Sequence, residues 1–309
     1  MNDQQARRTP LIVAPTPTPF ADDGSLDLGA MERNIARWLK TTLSGFVLNT
    51  ENGEESFLSD TERGDLIRIV SEHRGDRLLI AGVDHPSTRE TLRRAEEYAS
   101  LGADMIRLRI PRLTPRRDEY FAEVLPRMPL PVMLIHQMAP GMFLSHGTAP
   151  AATPEKIGEW TSMPNVAGYI ASADIRFETR VRRFVPEDRE FWTANGSLIL
   201  PGIFMGANGA CMMLANVLPD QSRYIFDAVA RGDLAAAQAM QKSLVDADWE
   251  ILSRQAAGLK AALTLLGFEF IGPRAPQEPC NADEIGAIRQ AVDANRWSAY
   301  DLTFPTTKR

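Results

Sequence analysis

One unit recurs eight times along this chain: a short apolar run, a loop, then an amphipathic stretch. The apolar runs fall at residues 11–14, 45–49, 78–82, 105–110, 132–136, 166–170, 190–193 and 210–214. Helical patterns follow them at 27–39, 59–73, 87–101, 117–125, 154–161, 174–185, 197–205 and 219–231. Leu28, Met31, Ile35 and Leu39 keep helical spacing in the first of these. Ser59-Asp60-Thr61-Glu62 has the form of a capping box, and Gly102 sits where a helix-ending glycine belongs. Eight such units over about 230 residues predict eight parallel strands closed into a (β/α)8 TIM barrel. An open doubly wound sheet shares the pattern, but no G-x-G-x-x-G follows the first run. The barrel is assigned to residues 1–232. Three further helical stretches, 234–252, 256–266 and 282–295, predict a C-terminal helical extension over 233–309, packed on the barrel with no flexible linker between.

Charge narrows the partners. A net charge of −6 and a pI of 5.4 provide no basic field for nucleic acid or an anionic membrane surface. No apolar run nears the roughly 20 residues a membrane helix needs, and the first residues lack the apolar core of a secretory signal. Cys211 and Cys280 are too few for a disulfide framework, so a reducing cytoplasm is the expected setting. No Walker A, G-x-S-x-G, H-E-x-x-H or C-x-x-C sequence occurs, and neither a cofactor nor a metal is expected.

Reactive groups in such a barrel belong at the C-terminal ends of the strands. Those ends supply Thr50, Glu51 and Asn52; Asp84 and His85; Arg112; His136 and Gln137; and Asn195. Arg107 and Arg109, two residues apart on the fourth strand, leave the same face. Two guanidiniums cannot pack cheaply against the helix layer, so they are expected to point into the barrel mouth. There they either join an internal network with Glu51 or Glu54 or bind a ligand carboxylate or phosphate; both readings stand. His136 is either a general acid/base or a hydrogen-bonded structural histidine. A metal site drawn from Glu51, Asp84, His85 and His136 is a third, less economical use of these groups. Cys211 reads as packing.

Several segments carry a resemblance along nearly the whole chain. They include Thr18-Pro19-Phe20 with Asp23-Gly24-Ser25-Leu26-Asp27, Gly53-Glu54 through Leu58-Ser59-Asp60-Thr61-Glu62-Arg63, and Pro164-Asn165-Val166-Ala167-Gly168. Gly206-Ala207-Asn208-Gly209-Ala210, Ala215-Asn216-Val217-Leu218-Pro219 and Lys260-Ala261-Ala262-Leu263 complete the series. In order and spacing the chain resembles the dihydrodipicolinate synthase / N-acetylneuraminate lyase family of barrel aldolases. The resemblance implies a Schiff base between a 2-oxo acid and a lysine two residues after the strand-six glycine. Counting from Gly168 gives Ile170, and no lysine lies between Lys156 and Lys242. An apolar side chain cannot form an imine.

Other positions depart with it. The family's G-T-T-G-E loop reads Thr50-Glu51-Asn52-Gly53-Glu54, and the Tyr-Asn pair ending strand five reads Ile135-His136. Glu51 would repel a substrate carboxylate there unless protonated or paired. Lys260 matches a family lysine on a C-terminal helix and is expected to be structural. The leading expectation is therefore a lyase-like protein acting on a small anionic hydroxy or oxo acid without Schiff-base chemistry. Glu51 and His136 would be catalytic, with Thr50, Asn52, Arg107, Arg109, Ile170 and Asn195 lining the substrate site. A non-catalytic barrel binding a small acidic or sugar-acid ligand is the alternative, and pyruvate-dependent aldolase chemistry through another lysine the third. The resemblance also implies a homodimer or homotetramer.

Overall fold

A computed structural model of the chain describes residues 9–111, 116–136 and 152–295. Arg112, Gln137 and His146 lie outside the described residues. Eight parallel strands close into a barrel in sequence order: β1 (Leu11–Pro15), β2 (Gly45–Leu48), β3 (Leu78–Val83), β4 (Met105–Arg109), β5 (Val132–Ile135), β6 (Val166–Ala171), β7 (Glu190–Thr193) and β8 (Gly209–Cys211). The helices between them are α1 (Leu28–Trp38), α2 (Asp60–His73), α3 (Thr88–Ser100), α4 (Arg117–Val124), α5 (Pro154–Thr161), α6 (Ile175–Arg182), α7 (Ile199–Met205) and α8 (Pro219–Ala230). The helices α9 (Leu234–Leu252), α10 (Gln255–Leu265) and α11 (Ala282–Asp293) form the C-terminal extension. Of these elements, β8 departs most from its pattern: the apolar run continues to Leu214, yet pairing stops at Cys211 and a 3-10 turn covers Met213–Asn216. Among the described residues no helix is long and apolar enough to cross a membrane.

Alternation along each strand divides the core in two, because successive side chains point to opposite faces. Val13, Val47, Ile80, Met133, Ile135, Ile170, Trp192 and Cys211 fill the barrel interior. Their neighbours Ile12, Phe46, Leu79, Ile106, Leu134, Tyr169, Phe191 and Ala210 pack outward against the helices. By the same alternation Arg107, between the outward Ile106 and Leu108, points inward. Tyr169 faces out and Ile170 faces in because the β5–β6 register shifts at Val132/Met133, skipping Ala167. A bulge of this kind re-aims every side chain after it.

The capping box Ser59–Glu62 opens α2, and Gly102 takes a left-handed φ of 98° after α3. Gly168 is required for a different reason: a Cβ there would lie 2.2 Å from the Glu190 carbonyl oxygen of β7. Gly168→Ala should therefore destabilise the fold by about 1–3 kcal/mol through overpacking. Urea unfolding midpoints measure this, and an unchanged midpoint would mean that β6 and β7 are not so closely apposed.

Candidate functional site

A cluster of five charged side chains occupies the β2–β4 side of the barrel mouth. Arg107 is only 2% exposed, and a guanidinium so buried needs a carboxylate. Asp84, in the turn after β3, pairs with it. The same carboxylate accepts from the Arg109 backbone N–H at 3.2 Å and forms an ion pair with its Nη2 at 3.1 Å. Arg109 Nη2 also lies 3.4 Å from Glu55 and 3.9 Å from Glu51. Three carboxylates thus share two guanidiniums. Burial pushes the Glu51 carboxyl up to about 7, against the opposing pull of Arg109. Burial, reinforced by Asp84, raises Glu55 as well. A cleft of about 160 Å³ adjoins the cluster, lined in part by Asn49, Arg63, Arg94 and Tyr98.

The residues expected from the sequence do not all converge here. Glu51, Arg107 and Arg109 do, while Thr50 heads the 3-10 turn Glu51–Gly53 and Asn52 stands in its middle. The Thr50 hydroxyl is buried without a hydrogen-bond partner among the described residues. Ile170, 1% exposed, stands in the apolar interior with Ile135 and Trp192. Asn195 caps the turn Gly196–Leu198 by accepting from the Ser197 N–H. His136 belongs to another neighbourhood: its ring packs on Phe177 of α6, centroids 5.3 Å apart, and its carbonyl accepts from the Ser172 hydroxyl. Ile135 takes the inward position, and His136, the next residue, turns toward α6. His85 Nδ1 accepts from the Ser87 N–H, and no group of three or more metal-ligating side chains is assembled among the described residues.

Glu54, expected as a partner for the arginines, is instead taken by the C-terminal extension. Its carboxylate accepts from Lys260 Nζ of α10, from the Arg274 N–H and from Gln277 Nε2. The Lys260 and Glu54 side chains are both 1% exposed, and burial pulls the Lys260 ammonium down to about 8. A second tie reaches the β7 loop, where Asp248 of α9 accepts from the Ser197 N–H and hydroxyl and Gln241 bonds Gly196 and Leu200. Sequence reading missed both ties, since their partners lie 51 and 206 residues apart. It also passed over Glu178, a buried carboxyl on α6 that accepts from Tyr169 and from the Ala173 N–H. Burial pushes Glu178 up to about 8.

Two outcomes follow from these environments. Removing Asp84 by Asp84→Ala strands a buried guanidinium and should cost about 3–5 kcal/mol in chemical denaturation; a loss below 1 kcal/mol would show that Arg107 has no need of it. Glu51 and Glu178 both have folded-state pKa values above the ordinary 4.5. Such groups favour folding below about 4.5, and that contribution is lost as pH rises through about 7 and about 8. Glu178→Gln should therefore flatten the decline in stability between those limits, as read from melting temperatures across pH. An identical slope in wild type and variant would contradict the buried, protonated carboxyl.

Comparison with known proteins agrees with this architecture. The family model for the dihydrodipicolinate synthetase family matches residues 9–295. A 4-hydroxy-tetrahydrodipicolinate synthase of Exiguobacterium sp. is 28% identical over 283 residues, covering 89% of this chain and 94% of its own. A DapA-like lyase of Halobacterium salinarum is 29% identical over 286 residues, covering 90% and 91%. A candidate dihydrodipicolinate synthetase from Pseudomonas aeruginosa, solved by crystallography, superposes with a TM-score of 0.84 at 27% identity, covering 94% of this chain and 100% of that one. The chain belongs to the dihydrodipicolinate synthetase family.

Proposed function

We propose that this family member transforms a small hydroxy or oxo acid by proton transfer, without a covalent imine. The observation that carries the reading is the mouth cluster, where Glu51 titrates near neutrality beside Arg109. A carboxyl with a pKa of about 7 is suited to give and take protons at neutral pH. When Glu51 is protonated, Arg109 loses one of its anionic neighbours and can turn toward a substrate carboxylate. Ile170 and Ile135 supply an apolar wall where the resemblance places a nucleophile and a tyrosine. Addition–elimination or isomerisation then needs Glu51 to take a proton as the carboxylate and to return one as the acid, beside a substrate held by its carboxylate. His136, packed on Phe177, has no part in this step.

A second reading has its own support. Arg107 is paired with Asp84, and Arg109 already faces three carboxylates. Such internal pairing favours a structural role for the two arginines, and with it a barrel that transforms no acid and would hold one through other groups. Both readings place the protein in the cytoplasm, as a homodimer or homotetramer with a small organic acid as its partner.

Incubation with a panel of 2-hydroxy, 2-oxo and sugar acids in D2O, followed by proton NMR, separates them. Turnover or hydrogen exchange by wild type should fall about 10²–10⁴-fold in Glu51→Gln. A Glu51→Gln variant as active as wild type would sink the acid–base reading. Saturable thermal shifts with no change in any acid would favour the binding protein.

A further inference from the structure

The turn that carries Glu51 is held from outside the barrel. Glu54 has a left-handed backbone, φ 59°, which a residue with a Cβ adopts only under constraint. The constraint is its carboxylate, which accepts from Lys260, Arg274 and Gln277 of the C-terminal extension. Lys260 is fixed in turn by the Gly272 carbonyl at 2.9 Å and by the Phe20 ring, 4.4 Å below its ammonium. Arg274 lies 4.3 Å from the same ring. From Glu54 the hold passes along the backbone: its N–H donates to the Glu51 carbonyl at 3.0 Å, and the Glu55 N–H donates to Thr50 at 3.1 Å. On the β1 side the Thr18 hydroxyl donates to the Gly53 carbonyl at 2.7 Å. Gly53 is also pressed so close to the Thr16 carbonyl that a Cβ would lie 2.9 Å from it. The turn is therefore gripped between β1 and α10 and has little freedom to slide.

We infer that Lys260 is a positioning residue: through Glu54 it holds the 51–55 turn down on the mouth cluster, and so keeps the Glu51 carboxyl shielded from water. Lys260 itself touches neither Glu51 nor either arginine of the cluster among the described residues. Among the described residues the charged groups that act on Glu51 are Arg107 and Arg109 of β4, Asp84 after β3 and Glu55 of its own turn. With the grip released, the turn lifts, water reaches Glu51, and the burial that raises its pKa is lost. The inference rests on the reading of Glu51 as the proton-transfer group.

The test is an infrared pH titration of the full chain, with the Glu51 carboxyl band assigned by its disappearance in Glu51→Gln. The double variant Glu54→Ala/Lys260→Met removes one charge of each sign, so a shift reports the turn and not a lost field. Its Glu51 midpoint should fall by about one pH unit or more, a tenfold loss of proton affinity. If this variant does not fold, Glu54→Gln/Lys260→Met keeps the side-chain volume and carries the same expectation. A folded double variant with a lower melting temperature but an unmoved Glu51 midpoint would overturn the inference, leaving Lys260 a purely structural residue. Wild-type Glu51 titrating in the ordinary carboxylate range would instead overturn the acid–base reading on which it rests.

Discussion

A guanidinium inside a barrel is the constraint around which this mouth is organised. Most of the barrel interior is aliphatic or aromatic, and Arg107 projects into it from β4 with almost no access to water. An ion in that position must be neutralised within hydrogen-bond reach. Asp84 does so from the end of β3, and because its second oxygen also serves the Arg109 backbone it fixes the end of β4. Arg109 then draws in Glu55 and Glu51, which outnumber the remaining positive charge. Burial among these groups disfavours the ionised form of Glu51, Glu55 and Asp84 add to that, and together they push its carboxyl up to about 7.

The C-terminal extension has a larger part than a helical appendage would. From α9 and α10 it reaches two places on the mouth, binding Ser197 after β7 through Asp248 and Glu54 after β2 through Lys260. Loops at the ends of strands are the most mobile parts of such barrels, and function depends on their geometry. Here each is fastened by a buried charged group, and neither fastening depends on the barrel strands themselves. The packing of the extension is thereby linked to the chemistry of the mouth.

Much of the fold was legible because strand and helix periods survive in the sequence. Strand alternation, for example, holds along β4 and β5, although the bulge that skips Ala167 reverses it for Tyr169 and Ile170 in β6. The placement of Arg107 and Arg109 on one inward face followed from the same rule. What was not legible was partner choice. Glu54 and Glu51 are three residues apart in one loop, yet one turns to α10 and the other to β4, a distinction set by the left-handed backbone at Glu54. For His136 the sequence left both an acid/base and a structural reading: at the last residue of a strand, one step decides between barrel interior and helix layer, and Ile135 holds the inner position while the His136 ring packs on Phe177. Asp248 and Glu178, buried acids on helices, gave no periodic signal at all.

The proposal that no imine forms is the point on which the functional reading turns, and borohydride trapping with pyruvate and other 2-oxo acids, read by intact-protein mass, tests it most directly. The wild-type chain should show no reduced adduct under conditions in which a lysine-bearing relative is trapped. Ile170→Lys, which restores an amine at the inward position of β6, provides a matched comparison at that site. An adduct on the wild-type protein would contradict the account, because some other lysine would then reach the substrate and aldolase chemistry would return.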